Sequence, residues 1–378
     1  MFPTQFTSAS FTWERKEFSK IVQRISTANS NKSLPNIEFE DIDSEIGTLN
    51  KSTSQLYKRK KGILFEKNNI LFGKLRPYLK KWFLADFSGI AVGDFWVLKP
   101  SDNQARFVYY LIQTSSFYNV SNITSGTKMP RSDWKLVSKT KFYIPMKLSE
   151  KHKLGMILYS IDKLINLHER KIIQLKQMQK CIQQIITTSS GKNWEFIKLK
   201  NILKERKLLS TKSKNYPLVS FTVNDGVTPK TKRYEREQLV RGNVDNKKYK
   251  VTKLNDIVYN PANLKFGAIG RNKFGNAVFS PIYITFEAHD IDIIFLETLL
   301  TDPNFIKKSL KYQQGTVYER QSVSPKDLLN MKIIYPPYDL QLKFGHLFGS
   351  IQKKIDLEQR KLDQLIKFKN FLLQNMFI

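Results

Sequence analysis

Two stretches of the chain carry a helical hydrophobic stripe far longer than a globular domain needs. From Leu154, the apolar positions Leu158, Ile161, Ile165, Ile172, Leu175, Ile182 and Ile186 recur at alternating steps of four and three, interrupted at His168 and Gln179. The rhythm returns from Phe344 through Phe348, Ile351, Ile355, Leu362, Leu365 and Leu372, interrupted at Glu358 and Lys369. Such alternation lines up one residue per turn on a single seam, so each stretch predicts a long helix that buries the seam against another helix. The two seams are of similar length, and antiparallel packing against each other hides both. Ser149 and Asp339, 190 residues apart, stand ahead of the stripes and predict N-caps, while Gly191 stands where the first helix should stop.

The chain ahead of each stripe has a different texture. Residues 1–145 and 191–336 are rich in Phe, Tyr, Val and Ile, with short alternating runs such as DFWVLKP and PIYITFE bounded by Gly, Pro and Asn. These predict strands, whereas RFVYYLIQTSSF and DIIFLETLLTDPNF carry helical periodicity. Each region ends in an apolar run that stops at proline, KFYIP and MKIIYPP. The two regions are copies. Trp13-Glu14 recurs as Trp194-Glu195 (offset 181), Asn69-Ile70 as Asp256-Ile257 (187), Gly126-Thr127 as Gly315-Thr316 (189) and Arg170-Lys171 as Arg360-Lys361 (190). The offset grows mainly between the Trp-Glu pair and residue 69, which is where the copies differ most in length. The expected architecture is a mixed α/β (α+β) chain of two pseudo-symmetric globular domains, residues 1–145 and 191–336. An antiparallel two-helix coiled coil, 146–190 with 337–378, separates them.

Charge narrows the choice of partner. Among 378 residues, 63 Lys+Arg face 33 Asp+Glu for a formal net charge of +30, more than solvation of an ordinary surface requires. A polyanion is the expected partner, and nucleic acid fits because each phosphate neutralised releases counterions. No apolar run approaches the roughly 18 residues that would cross a bilayer, and the start MFPTQFTSASF lacks a signal-peptide pattern, so a cytoplasmic protein is expected. The single Cys181 falls in a helical pattern, and His152, His168, His289 and His346 show no metal-ligand spacing.

Candidate chemistry is sparse. YPPY at 335–338 has the aromatic and prolines of a DNA amino-methyltransferase motif, but Tyr335 stands where an Asp, Asn or Ser must offer an oxygen to the target amine. Gly73-Lys74 lacks the earlier glycine of a P-loop, and Glu287, Asp290 and Asp292 read more simply as a turn before a helix than as a metal cluster. No catalytic residue is assigned. Basic residues mixed with glycine and aromatics are better represented. They are Lys74, Arg76, Lys80 and Lys81 in FGKLRPYLKKWF and Lys128 and Arg131 in SGTKMPRSDW. In the second copy they are Lys265, Arg271 and Lys273 in NLKFGAIGRNKFG and Arg320 with Gln321 in QGTVYERQS. Both sets fall on predicted loops beside strands in matching parts of the repeat, where Arg and Lys can meet guanine edges or phosphates and Gln can pair with adenine.

The ordered set FTWE, NNILFGKLRPYL, SGTKMPRSDW, FYIP and SIDKLINLHERKIIQLKQMQK, repeated as NWEFIKL, NDIVYNPANLKFG, QGTVYERQS, IIYPP and SIQKKIDLEQRKLDQLIKFKN, resembles the specificity subunits of type I restriction-modification enzymes over nearly the whole chain. The helix starts SEKHK and DLQLK depart from the family's usual acidic-glutamine start. The resemblance implies two target-recognition domains, each reading one half of a split double-stranded DNA site. It implies two methyltransferase subunits clamped on the helices, with room for restriction or translocase subunits. It places no cofactor in this chain; the methyl donor S-adenosylmethionine is expected on the methyltransferase partner. An autonomous DNA adenine methyltransferase and a non-catalytic coiled-coil scaffold remain the alternatives.

Overall fold

The computed structural model describes residues 12–30, 33–57, 60–101, 104–125, 128–188, 194–223, 225–230, 247–314 and 322–377. These form two compact units, one of residues 1–170 with 359–378 and the other of residues 171–358.

The first unit is framed by strand Trp13–Glu17, which pairs antiparallel with Lys141–Pro145 just ahead of the long helix. Between them lie two sheets. One is antiparallel in the order Val22–Ile25, Phe95–Pro100, Ile70–Gly73, Trp82–Leu84. The other runs Ala28–Asn29, Gly62–Phe65, Gly89–Ala91, Asn36–Ile37, its last strand parallel. Helices α1 (Ala105–Leu111), α2 (Ser115–Ser121) and α3 (Trp134–Lys139) follow, and then α4 (Leu148–Thr188). RFVYYLIQTSSF is two helices, not one, because the Thr114 hydroxyl accepts from Phe117 N–H and starts a new helix. Aromatic rings fill the space between: Phe18 against Phe117 (5.1 Å) and Phe142 (5.7 Å), and Trp96 against Phe72 (5.4 Å) and Trp134 (5.1 Å). A second cluster of Ile37, Ile42, Leu56, Phe65, Leu71 and Val97 lies between the sheets.

The second unit repeats this order element by element. Glu195–Lys198 pairs with Lys332–Tyr335, and one sheet runs Leu203–Glu205, Ile284–Ala288, Ile257–Tyr259, Ile269–Arg271. The other runs Leu209–Ser210, Tyr249–Thr252, Ala277–Phe279, Leu218–Thr222 and gains a fifth strand, Gly226–Pro229. That strand falls in the stretch where the repeat offset grows. Helices α5 (Ile293–Leu300), α6 (Pro303–Ser309) and α7 (Pro325–Asn330) match α1 to α3, and α8 (Tyr338–Asn375) matches α4. Asp302 splits α5 from α6 by accepting from Asn304 N–H at 2.6 Å.

The long helices begin differently from expectation. They start at Leu148 and Tyr338, so Ser149 and Asp339 sit inside the first turn; the carbonyls of Lys147 and Pro337 accept the first helical N–H groups instead. Pro145 and Pro336–Pro337 close the preceding strands, which leaves the turn to those carbonyls. Gly191 lies outside the described residues.

Each unit holds part of both long helices. In the first, Leu154, Leu158, Ile161, Ile165 and Leu362 are buried and Leu365 half-buried. The break at Lys369 is explained there: its Nζ pairs with Asp162 at 2.7 Å, and Tyr110 Oη donates to the same carboxylate at 2.8 Å. In the second, Ile172, Ile351 and Ile355 are buried and Leu175 half-buried, and the break at Glu358 is a buried carboxylate accepting from Lys171 Nζ at 2.7 Å. Gly155 and Gly345, equivalent in the repeat, let the helices come close to α1 and to the cap of α5; a Cβ would stand 2.8 Å from Phe107 N at the first and overlap Asp292 Oδ1 at the second.

Candidate nucleic-acid interface

In the first unit, two loops that are far apart in sequence meet at one edge of the antiparallel sheet. The 74–81 loop joins Ile70–Gly73 to Trp82–Leu84, and the second loop enters the hairpin strand Arg131–Ser132. Backbone hydrogen bonds stitch them together: Arg76 N to Pro130 O (2.7 Å) and Ser132 N to Lys74 O (2.9 Å), with a bridge between Leu75 and Arg131. Loops at a sheet edge expose side chains while a rigid scaffold fixes their place. Arg76 and Lys80 adopt positive φ, 47° and 51°, which turns the chain tightly around Pro77.

The predicted residues fall into two groups. Arg76 and Lys128 are exposed and make no side-chain ion pair among the described residues. Arg131 is exposed; its Nε and Nη2 both donate to Asp94, each at 3.1 Å, and Lys74 Nζ lies 3.6 Å from the same carboxylate. The Arg131 hydrogen bonds hold the Asp94 carboxyl below the usual carboxylate range, with the Lys74 charge adding to the effect. By contrast, Lys81 is turned inward, donating to Phe39 O at 2.8 Å, and Lys80 pairs with Glu45 at 2.8 Å and lies over the Tyr118 ring.

The second unit repeats the stitching, with Val323 N donating to Pro261 O at 3.2 Å. Lys265 stands in the turn Leu264–Phe266. Arg271 is largely buried and donates to Glu297 and Asn255, each at 3.0 Å, so it braces the sheet edge against α5; Lys273 joins Glu297 at 2.9 Å. Arg320 and Gln321 lie outside the described residues. Sequence reading did not single out the exposed Tyr78 and Phe266, at the tips of equivalent turns, or Met129. The signal was present as aromatic residues embedded in basic loops.

The residues considered for catalysis have structural partners. Asp292 caps α5 through Phe295 N–H (2.7 Å), Glu287 pairs with Arg206 (3.2 Å), Asp290 occupies a positive-φ turn and its carbonyl accepts from Tyr335 Oη. Among the described residues, no group of three or more His, Cys, Asp or Glu is placed to hold a metal, and no helix is long and apolar enough to cross a membrane.

Residues 13–177 match the family model of the type I restriction modification DNA specificity domain. The fold resembles the crystal structure of a type I restriction-modification S subunit from M. genitalium, at 14% identity and a TM-score of 0.68, covering 100% of this chain and 99% of that one. It also resembles a chain from a structural study of the assembly and conformational transition of the type I R-M system, at 13% identity and a TM-score of 0.53, covering 97% of this chain and 98% of that one. Residues 13–177, with their paired basic loops, are thus similar to a type I DNA specificity domain, and the second unit repeats the elements of the first. Over its whole length the chain shares its fold with the type I restriction-modification S subunit from M. genitalium.

Proposed function

We propose that each unit reads one half of a bipartite double-stranded site through its pair of stitched loops. The long helices hold two methyltransferase subunits, which bring S-adenosylmethionine and the adenine chemistry; restriction or translocase subunits join the same cytoplasmic assembly. The chain itself catalyses nothing. The observation that carries this reading is the repeated loop pair, 74–81 with the Arg131–Ser132 strand and 261–268 with the Ser322–Val323 strand, in a chain of net charge +30. Large apolar side chains left exposed on the long helices support the partner assignment: Ile157, Leu164, Leu167 and Phe371 in the first unit, Ile173, Ile185 and Leu347 in the second.

The test is methyl transfer to duplexes scrambled in one half-site at a time, with the chain alone and with a methyltransferase subunit added. Activity should require the added subunit. Arg76→Glu or Lys128→Glu should impair reading of one half-site, and Lys265→Glu of the other. Transfer by the isolated chain would establish an autonomous methyltransferase instead, and affinity equal across all sequences would reduce the chain to a scaffold.

A further inference from the structure

We infer that Arg131 reads a guanine in the half-site bound by the first unit, and that Asp94 is the positioning residue that presents its guanidinium for this contact. The inference rests on the DNA-reading function proposed above and names the residue pair that gives one of its base preferences.

The geometry is that of a buttressed fork. Arg131 opens a strand whose next residue, Ser132, is buried and donates to Ser121 O at 2.7 Å, so Arg131 points outward. Its backbone is fixed from two sides, by Ser125 across the hairpin and by Leu75 of the neighbouring loop. Asp94 takes Nε–H and one Nη2–H, both at 3.1 Å. A guanidinium has five donors; the Nη1 pair and the second Nη2 hydrogen have no other side-chain partner among the described residues. Those remaining donors form the edge that matches guanine O6 and N7 bidentately.

The carboxylate decides between base and phosphate. An arginine meant for phosphate gains nothing from a neighbouring negative charge, which repels the DNA backbone and cancels much of the attraction. One meant for a base edge gains orientation, because holding the fork removes rotamer freedom that binding would otherwise have to remove. Lys74 Nζ, 3.6 Å from Asp94 Oδ1, adds a second positive charge that helps to hold the carboxylate in place.

Among the described residues, the arrangement does not recur at the matching ladder positions of the second unit. Lys74 O accepts from Ser132 N as Pro261 O accepts from Val323 N, which makes Pro261 and Ser322 the counterparts of Lys74 and Arg131. Trp96 pairs with Phe72 as Ile284 pairs with Tyr259, which makes the exposed Ile282 the counterpart of Asp94. At these ladder positions none of the three groups recurs, and Arg320, which the sequence repeat sets opposite Arg131, lies outside the described residues.

The experiment selects duplexes from a library randomised in both half-sites with the full chain, as wild type, Asp94→Asn, Arg131→Lys and Arg131→Ala. The wild type should select a guanine at one position of one half-site. All three variants should lose roughly 5- to 150-fold of discrimination there and keep their preferences elsewhere. Arg131→Lys keeps the charge without the fork, so it separates base reading from phosphate contact. Asp94→Asn added to Arg131→Ala should change nothing further. The inference is overturned if Arg131→Ala weakens all sequences alike, if Arg131→Lys behaves as wild type, or if Asp94→Asn erodes preferences throughout both half-sites. A wild type with no sequence preference would instead sink the DNA-reading function itself.

Discussion

Replacing Gly155 by alanine should destabilise the first unit, although the same change usually strengthens a helix. In a helix interior, alanine gains about 0.5–1 kcal/mol over glycine through its smaller loss of backbone freedom. At Gly155 the new methyl would stand 2.8 Å from Phe107 N, 3.0 Å from Arg106 Cβ and 3.1 Å from Arg106 C. Two of those atoms are backbone, so α1 must move as a whole, and such overpacking costs about 1–3 kcal/mol. The net expected loss is about 1–2 kcal/mol, or roughly 2–8 °C in Tm for a unit of this size. Gly349 supplies the control, because its methyl would meet only Ile294 Cδ1 at an ordinary 3.5 Å; Gly349→Ala should stabilise the second unit by about 0.5–1 kcal/mol. Calorimetry would give the two shifts, and amide exchange at Phe107 would assign the first to α1. If Gly155→Ala melts at or above wild type, the close approach of α4 to α1 does not constrain the fold and the reasoning fails.

Lys369→Met leaves Asp162 with the Tyr110 hydroxyl alone in a mostly buried setting, so the first unit should lose about 2–3 kcal/mol in denaturant titration; the double change with Asp162→Asn should recover much of it. Burial raises the Glu169 carboxyl above its usual value, so its folded pKa exceeds the unfolded one and the ionised form costs stability once pH climbs through the folded value. Glu169→Gln should therefore raise the melting temperature at neutral pH and leave it unchanged below about pH 4; an equal effect at both would contradict the sign. Asp94 runs the other way: its folded pKa is lowered, so the stability the Arg131 pair contributes is present above the normal carboxylate range and lost as pH falls through the folded value. Asp94→Asn should cost stability at pH 7 and nothing in strong acid, as thermal scans across pH would show.

The long helices and the duplication were legible because both are periodic, and period survives in sequence whatever the neighbours do. Lys369 and Glu358 were legible only as interruptions; Asp162 and Lys171, which explain them, come from the other long helix. Loop positions were readable for Arg76 and Lys128, but the fate of each charge was not. Lys81 and Arg271 look like their neighbours in sequence, yet a carbonyl 42 residues away and a carboxylate 26 residues away claim their heads. Asp94 was invisible as a partner for Arg131 because 37 residues separate them. Local capping chemistry misled at Ser149 and Asp339, where the preceding proline corner moved the helix start by one or two residues.

The first unit is discontinuous in the chain. Phe377 is buried and stacks on Phe107 at 5.6 Å, and Lys369 reaches Asp162, so residues from 359 onward complete a core whose other members lie before residue 171. The second unit is one uninterrupted stretch. During translation, residues 171–358 can therefore close their core as soon as they leave the ribosome. The part that emerges earliest must wait, with Phe107 and Asp162 uncovered, until the whole of the second unit has passed. The order of synthesis is thus the reverse of the order of completion, and the earliest residues are the ones a chaperone would have to shield longest.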